Sequence, residues 1–318
     1  MEEKSSLVVT NAQRLIGQVR RVVVGKDSVL LWVLATILAK GHILLEDIPG
    51  VGKTTMALAY SRTLGLSCNR VQFTPDVLPS DVTGYSVLDQ KSGALVYQPG
   101  AVLCNLFLAD ELNRATSRTQ SALLEAMEES QITVDGKSYS LPQPFTVIAT
   151  QNPTGAAGTQ LLPDSQLDRF MVQLSLGYPD AKDEAAMVLQ RQGGDPLKSL
   201  TPLLTPADVL TMQQEVENTY LGEPLVQYIV RLIGATRNHP HISRGASPRA
   251  TLAVTAMAKS IARLRGRDFV IPKDVQEVFV STVAHRLQLS AQAEAQGLTA
   301  AEILRDLLAT TPAPKLSI

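Results

Sequence analysis

Two cysteines in 318 residues, Cys68 and Cys104, are too few for a disulfide framework and lack the spacing of a metal site. Both are expected to be buried apolar residues of a protein from a reducing compartment. No apolar run is long enough for a bilayer. The uncharged apolar stretch over residues 28–39 falls well short of the ~20 residues that a spanning helix needs. The opening Met-Glu-Glu-Lys lacks the basic segment of a secretory leader, so a cytoplasmic location is expected. An excess of either charge is also missing, with 29 basic residues against 30 acidic ones. No basic stripe interleaved with aromatics appears, and Tyr85, Tyr97 and Tyr139 are equally suited to packing, so nucleic acid is not an expected partner. What remains is an ordinary folded composition, 45% hydrophobic and 19% charged, in a chain long enough for two domains.

The stretch that organises the chain is Asp47-Ile48-Pro49-Gly50-Val51-Gly52-Lys53-Thr54-Thr55, directly after the apolar run Ile43-Leu44-Leu45. A strand, a glycine turn and a helix are expected. Gly50 and Gly52 let the backbone turn with its N–H groups inward, Lys53 offers a cation to β- and γ-phosphates, and Thr54 offers a hydroxyl to Mg²⁺. The phosphate-loop pattern wants glycine where Asp47 stands. Upstream, helical spacing over residues 5–22 and again over about 27–39 flanks the break Val22-Val23-Val24-Gly25-Lys26. Val24 and Gly25 are candidates for an adenine contact, although core packing explains them equally well.

Three further stretches suit the same site. Asn105-Leu106-Phe107-Leu108-Ala109-Asp110-Glu111 has the apolar run of a doubly buried strand and two carboxylates at its C-terminal end, where ligands bind in parallel sheets. Asp110 would hold Mg²⁺ through water and Glu111 would polarise the attacking water. The plainer alternative is that this pair caps a helix starting near Ala115. Residues 145–152 form another buried-strand pattern, ending in Asn152, which suits a γ-phosphate contact or turn chemistry before Pro153. A short helix and a strand over 171–176 then follow, with Arg169 just ahead of that strand. Two hairpins are expected as well, one over residues 84–97 around Lys-Ser-Gly and one turning at Asp135-Gly136.

From about Asp180 the periodicity is helical, punctuated by prolines. Ser247-Pro248-Arg249 has serine for an N-cap and proline at the first helical position, so Arg249 lies in the first turn, where a cation opposes the helix dipole. His239 and His241 have no further ligands nearby and are not expected to bind metal. The tail from Thr311 is expected to fray.

Taken together, residues 47–55, 108–115, 149–153, 162–170 and 245–250 resemble the MoxR family of AAA+ ATPases, over nearly the whole chain. That family tolerates the missing first glycine. The resemblance implies an α/β fold: a parallel-sheet αβα P-loop NTPase core with two inserted β-hairpins over residues 1–179, and an all-α lid over 180–318. It implies ATP or ADP with Mg²⁺, bound by Asp47, Pro49, Gly50, Val51, Gly52, Lys53, Thr54, Thr55 and Asp110, with Thr54 and Asp110 at the metal. It assigns Lys53 and Thr54 to Walker A, Asp110 and Glu111 to Walker B, Asn152 to sensor 1, Arg169 to an arginine finger and Arg249 to sensor 2. Arg249 is expected to meet the γ-phosphate of its own subunit and to couple nucleotide state to lid angle about residues 177–180. Arg169 points outward, so a ring is expected, most simply a hexamer, with a chaperone-like role beside a protein carrying a von Willebrand factor A domain and an unidentified client. A nucleic-acid motor, a non-hydrolysing nucleotide switch and a small-molecule phosphotransferase are the competing classes.

Overall fold

The computed structural model describes residues 6–48, 50–152 and 162–315. Helices α1 (Leu7–Arg20) and α2 (Asp27–Leu38) lead into β1 (Ile43–Glu46), α3 (Lys53–Thr63) and β2 (Cys68–Gln72). Next come α4 (Pro79–Thr83), the hairpin β3 (Gly84–Leu88) and β4 (Leu95–Pro99), β5 (Leu106–Asp110) and α5 (Ser117–Glu129). A second hairpin, β6 (Gln131–Val134) and β7 (Lys137–Ser140), precedes β8 (Thr146–Gln151), α6 (Asp164–Leu167) and β9 (Val172–Leu174). The remainder is α7 (Ala181–Gln192), α8 (Pro206–Glu217), α9 (Glu223–Arg237), β10 (Ile242–Arg244), α10 (Pro248–Leu264), α11 (Pro272–Val283), β11 (Gln288–Leu289), α12 (Ala291–Ala295) and α13 (Ala300–Thr310).

Five strands form one parallel sheet in the order β2-β5-β8-β1-β9. The near-continuous apolar runs of β1, β5 and β8 have the physical reason expected of them, since both faces of these central strands are covered. Alternation assigns the faces: Ile43, Leu45, Leu106, Leu108 and Ile148 share a core with α1, α2, α3 and the later helices. Leu44, Phe107, Ala109, Val147 and Ala149 pack with α5 and the bases of the hairpins.

The late helices do not stand apart. Gln213 of α8 donates to the Ile37 carbonyl and Ser260 of α10 to the Ala35 carbonyl. Glu215 of α8 accepts from Ser6 and from the backbone N–H groups of Leu7 and Val8, satisfying the open end of α1. Among the described residues the lid is helical apart from an isolated bridge between Tyr220 and Phe269 and the antiparallel ribbon β10-β11, three residues against two, too short for any period-2 pattern to mark it. Cys104 is buried, whereas Cys68 is only half-buried on the edge strand β2. Burial raises both thiols, Cys104 to about 12. Pro49, Pro153 and the last residues of the tail lie outside the described residues.

Candidate functional site: a nucleotide cleft and a distant arginine pair

Parallel strands bring their C-terminal ends to one edge of the sheet, and there the sequence has gathered its polar residues. Gly50 and Gly52 follow β1 with φ of 88° and 96°, in the left-handed region where any other residue is strained. Gly52 is the N-cap of α3 and offers no side chain to the first-turn N–H groups, which therefore remain open to a ligand. Lys53 is buried, and its Nζ donates to the carbonyls of Asp47 (2.7 Å) and Ile48 (3.2 Å). Burial lowers its pKa against the pull of Asp47, Asp110 and Glu111.

Asp47 itself is corrected by the structure. Its carboxylate does not line the cleft; it accepts from Ser175 Oγ (2.8 Å) and from the N–H groups of Leu176 (2.6 Å) and Gly177 (3.0 Å). Asp47 thus ties the phosphate loop to the segment leaving β9, a task glycine could not perform.

Asp110 ends β5, with one carboxylate oxygen accepting from Thr150 Oγ1 (2.6 Å) and the other from Arg70 (2.7 Å). The Thr150 hydroxyl in turn accepts from the Glu111 N–H at 2.8 Å. Glu111 is held at φ 56°, an uncommon conformation for a residue with a side chain. Its carboxylate accepts from Arg114 Nη1 (2.9 Å) and Asn152 Nδ2 (3.2 Å). Arg114 first, and Asn152 after it, hold its pKa below the usual carboxylate range. The plainer reading of these two acids as helix caps fails, because Thr116 caps α5.

A cleft of about 850 Å³ is lined by Gly50, Val51, Gly52, Lys53, Thr54, Thr55, Arg70, Asp110, Glu111 and Asn152. Val22, Val23, Val24, Met187 and Leu197 add apolar surface to the lining, beside Lys26, Glu184, Gln190 and Arg191. That volume lies within the range of small-molecule sites. Apolar side chains in one cleft with open helical N–H groups and a buried lysine fit a nucleoside polyphosphate. The Thr54 hydroxyl and the Asp110 carboxylate are hard oxygen donors of the kind Mg²⁺ takes while keeping most of its waters. Gly25 does not line the cleft. At φ 72° it lies under the Asp183 side chain of α7, whose carboxylate oxygen would sit 1.6 Å from a Cβ. Neighbouring Lys26 donates to the Tyr178 carbonyl at 2.8 Å. The sequence reading missed Arg70, Arg114, Thr150 and the α7 wall, whose only signal was unplaced polar residues.

Arg169 and Arg249 are elsewhere. They line a second cleft with Lys40, Gly41, His42, Glu128 and Met171, and among the described residues the two clefts share no lining residue. Lys40, Gly41 and His42 precede β1, and Arg169 and Met171 precede β9, so this cleft opens at the N-terminal edge of the sheet. The four residues of β1, roughly 13 Å at ~3.3 Å each, separate the two edges. The expectation that Arg249 meets the γ-phosphate of its own subunit therefore fails on geometry. Both guanidinium groups converge on Glu128, Arg169 at 2.8 Å from one oxygen and Arg249 at 2.5 Å from the other. They hold Glu128 below the usual carboxylate range, Arg169 most strongly. Behind them, Arg286 pairs with Asp168, while burial pulls Arg286 down to about 10. Ser247 occupies the N-cap position of α10 as expected, but its hydroxyl bonds to Asp168 instead of capping the helix.

The chain is similar to known proteins over nearly its whole length. Residues 42–172 match the model of an ATPase family associated with various cellular activities (AAA), and residues 234–307 match an AAA lid domain. The chain is 42% identical to the uncharacterised protein YeaC of Bacillus subtilis, across 95% of this chain and 94% of that one. It is 37% identical to Chaperone MoxR1 of Mycobacterium tuberculosis, across 97% and 84%. A crystallised Cytophaga hutchinsonii protein, presented as a candidate ATPase, superposes with a TM-score of 0.90 at 36% identity, across 97% and 96%. With its parallel sheet, phosphate loop and helical lid, the chain belongs to the MoxR family of AAA+ ATPases.

Proposed function

We propose that the protein hydrolyses ATP in a Mg²⁺-dependent reaction, as a head-to-tail ring, and uses the cycle for chaperone-like work on a client protein. The observation that carries the reading is Glu111, held at the mouth of the cleft beside Asp110, with the open first turn of α3 and Lys53 in the same cleft. Lys53 and the N–H groups of residues 50–55 bind and orient the β- and γ-phosphates. Mg²⁺, when held at Thr54 and Asp110, neutralises charge on those phosphates. Glu111 accepts a hydrogen bond from the attacking water and draws off its proton, and Asn152 keeps the carboxylate aimed.

Arg169 and Arg249 then need a phosphate from another subunit. A ring supplies one, because a head-to-tail interface that closes by rotation sets the N-terminal sheet edge of one copy against the nucleotide cleft of the next. Hexameric closure and a von Willebrand factor A domain partner are the finer expectations of family membership. Support for a polypeptide client comes from the first hairpin, which exposes Val87, Leu88, Leu95 and Val96 on the strands beside its turn, apolar groups suited to unfolded chain.

Glu111→Gln is expected to bind ATP with near wild-type affinity and to lose turnover, whereas Lys53→Ala should lose binding. Equilibrium binding and steady-state phosphate release on both variants test this. Wild-type turnover in Glu111→Gln would remove the assigned role.

A further inference from the structure

Arg286 lies in the turn after α11 with its side chain 2% exposed. Its guanidinium spans both sides of Arg169: Nη1 donates to Asp168 at 2.8 Å and Nη2 to the Phe170 carbonyl at 2.7 Å. The neighbouring His285 places Nε2 3.0 Å from that same carbonyl. Asp168 also accepts from the Ser247 hydroxyl at 3.0 and 3.2 Å, two residues ahead of Arg249. One carboxylate and one buried guanidinium therefore join the loop that carries Arg169 to the helix that carries Arg249.

A buried cation is a poor device for stability alone, since an apolar side chain of similar size commonly does as well or better. Here Arg286 Nε also lacks a partner among the described residues. What the arrangement achieves is visible at Glu128, where two mutually repelling guanidinium groups are held against the two oxygens of a single carboxylate. We propose that Arg286, acting through Asp168 and the Phe170 carbonyl, is a positioning residue that sets Arg169 and Arg249 at the spacing of one anionic group. The γ-phosphate of a neighbouring subunit is then met by both arginines at once. This rests on the reading of Arg169 and Arg249 as groups that act on a neighbour's nucleotide.

The test uses full-length protein in mixed assemblies. Arg169→Ala mixed with Glu111→Gln comes first; recovery of ATPase activity establishes the reading beneath the proposal, and no recovery in proven mixed assemblies defeats that reading separately. Arg286→Lys keeps the charge but cannot span both contacts. It is expected to lower kcat by about 10²-fold, the cost of a 1 Å misplacement, with ATP affinity unchanged. Mixed with Glu111→Gln, Arg286→Lys should recover activity, because each partner supplies what the other lacks. Mixed with Arg169→Ala, it should recover none, since both defects lie on the arginine side. Wild-type kcat in Arg286→Lys, or recovery with Arg169→Ala, overturns the positioning role. If Arg286→Lys loses its cooperative melting transition, Asp168→Asn and Ser247→Ala carry the test. Smaller losses that sort with Arg169→Ala sustain the proposal, and wild-type kcat in both overturns it.

Discussion

In the proposed reaction Glu111 is the base, and its two donors set the pH at which its carboxylate is free to act. Arg114 holds the Glu111 pKa down, so Arg114→Ala should raise it and move the acid limb of the pH–kcat profile to higher pH, while Arg114→Lys should move it less. An unmoved limb would mean that Glu111 is not the titrating base. His42 is a second residue with a readable protonation state. Its Nδ1 accepts from the Val147 N–H and its Nε2 meets the Met127 carbonyl, both at 3.0 Å, which fixes the neutral tautomer. Burial lowers its pKa to about 4. Folding stability from the neutral ring is therefore complete above the unfolded value of 6.5 and declines as pH falls toward 4, by about 3 kcal/mol. Denaturant titrations between pH 7 and 4 should show a flatter profile in His42→Gln. At this scale the sequence was informative wherever a residue type and its motif spacing coincide, as at Lys53, Asp110, Glu111 and Asn152. Arg70, Arg286 and Asp168 were invisible, because their partners lie 40, 118 and 79 residues away and only the folded chain joins them.

Elements were legible where their pattern is long or strongly marked. The two hairpins announce themselves through turn residues, and the central strands through unbroken apolar runs. The ribbon β10-β11 is too short to carry a pattern, and α7 misleads in a different way. Among the described residues α7 buries none of its side chains, yet Glu184, Met187, Gln190 and Arg191 wall the nucleotide cleft. The Asp183 side chain at its start lies against Gly25, where a Cβ would meet the carboxylate. Gly25→Ala should strain the left-handed backbone between α1 and α2 at φ 72° and make the Asp183 side chain swing aside, lowering stability in denaturant melts without touching Glu111 or Lys53. The tie between the phosphate loop and the β9 exit is testable in the same manner. Asp47→Ala leaves the Leu176 and Gly177 N–H groups without their carboxylate, and should cost about 1–3 kcal/mol of stability in denaturant melts.

For the whole molecule, the consequence of the fold is a separation. The nucleotide cleft lies at the C-terminal edge of the sheet and the arginine pair at the N-terminal edge, so an isolated subunit is expected to bind ATP and turn it over slowly. A neighbour's arginine is worth roughly 10³ to 10⁵ in rate in GTPase systems. Turnover per subunit should accordingly rise with protein concentration. The late helices share a core with α1 and α2 through Gln213, Ser260 and Glu215, so a lid pivoting at residues 177–180 alone would have to break those contacts. Nothing in the linear sequence distinguishes an arginine serving its own subunit from one serving the next. Arg249 looked like the former until the path of the chain set it beside Arg169.

The most direct measurement mixes Arg249→Ala with Glu111→Gln, each expected to be inactive alone. ATPase activity should reappear in the mixed assemblies, because some interfaces then pair an intact Glu111 cleft with an intact Arg249. No recovery, in assemblies shown to contain both variants, would return Arg249 to the nucleotide of its own subunit and contradict the separation.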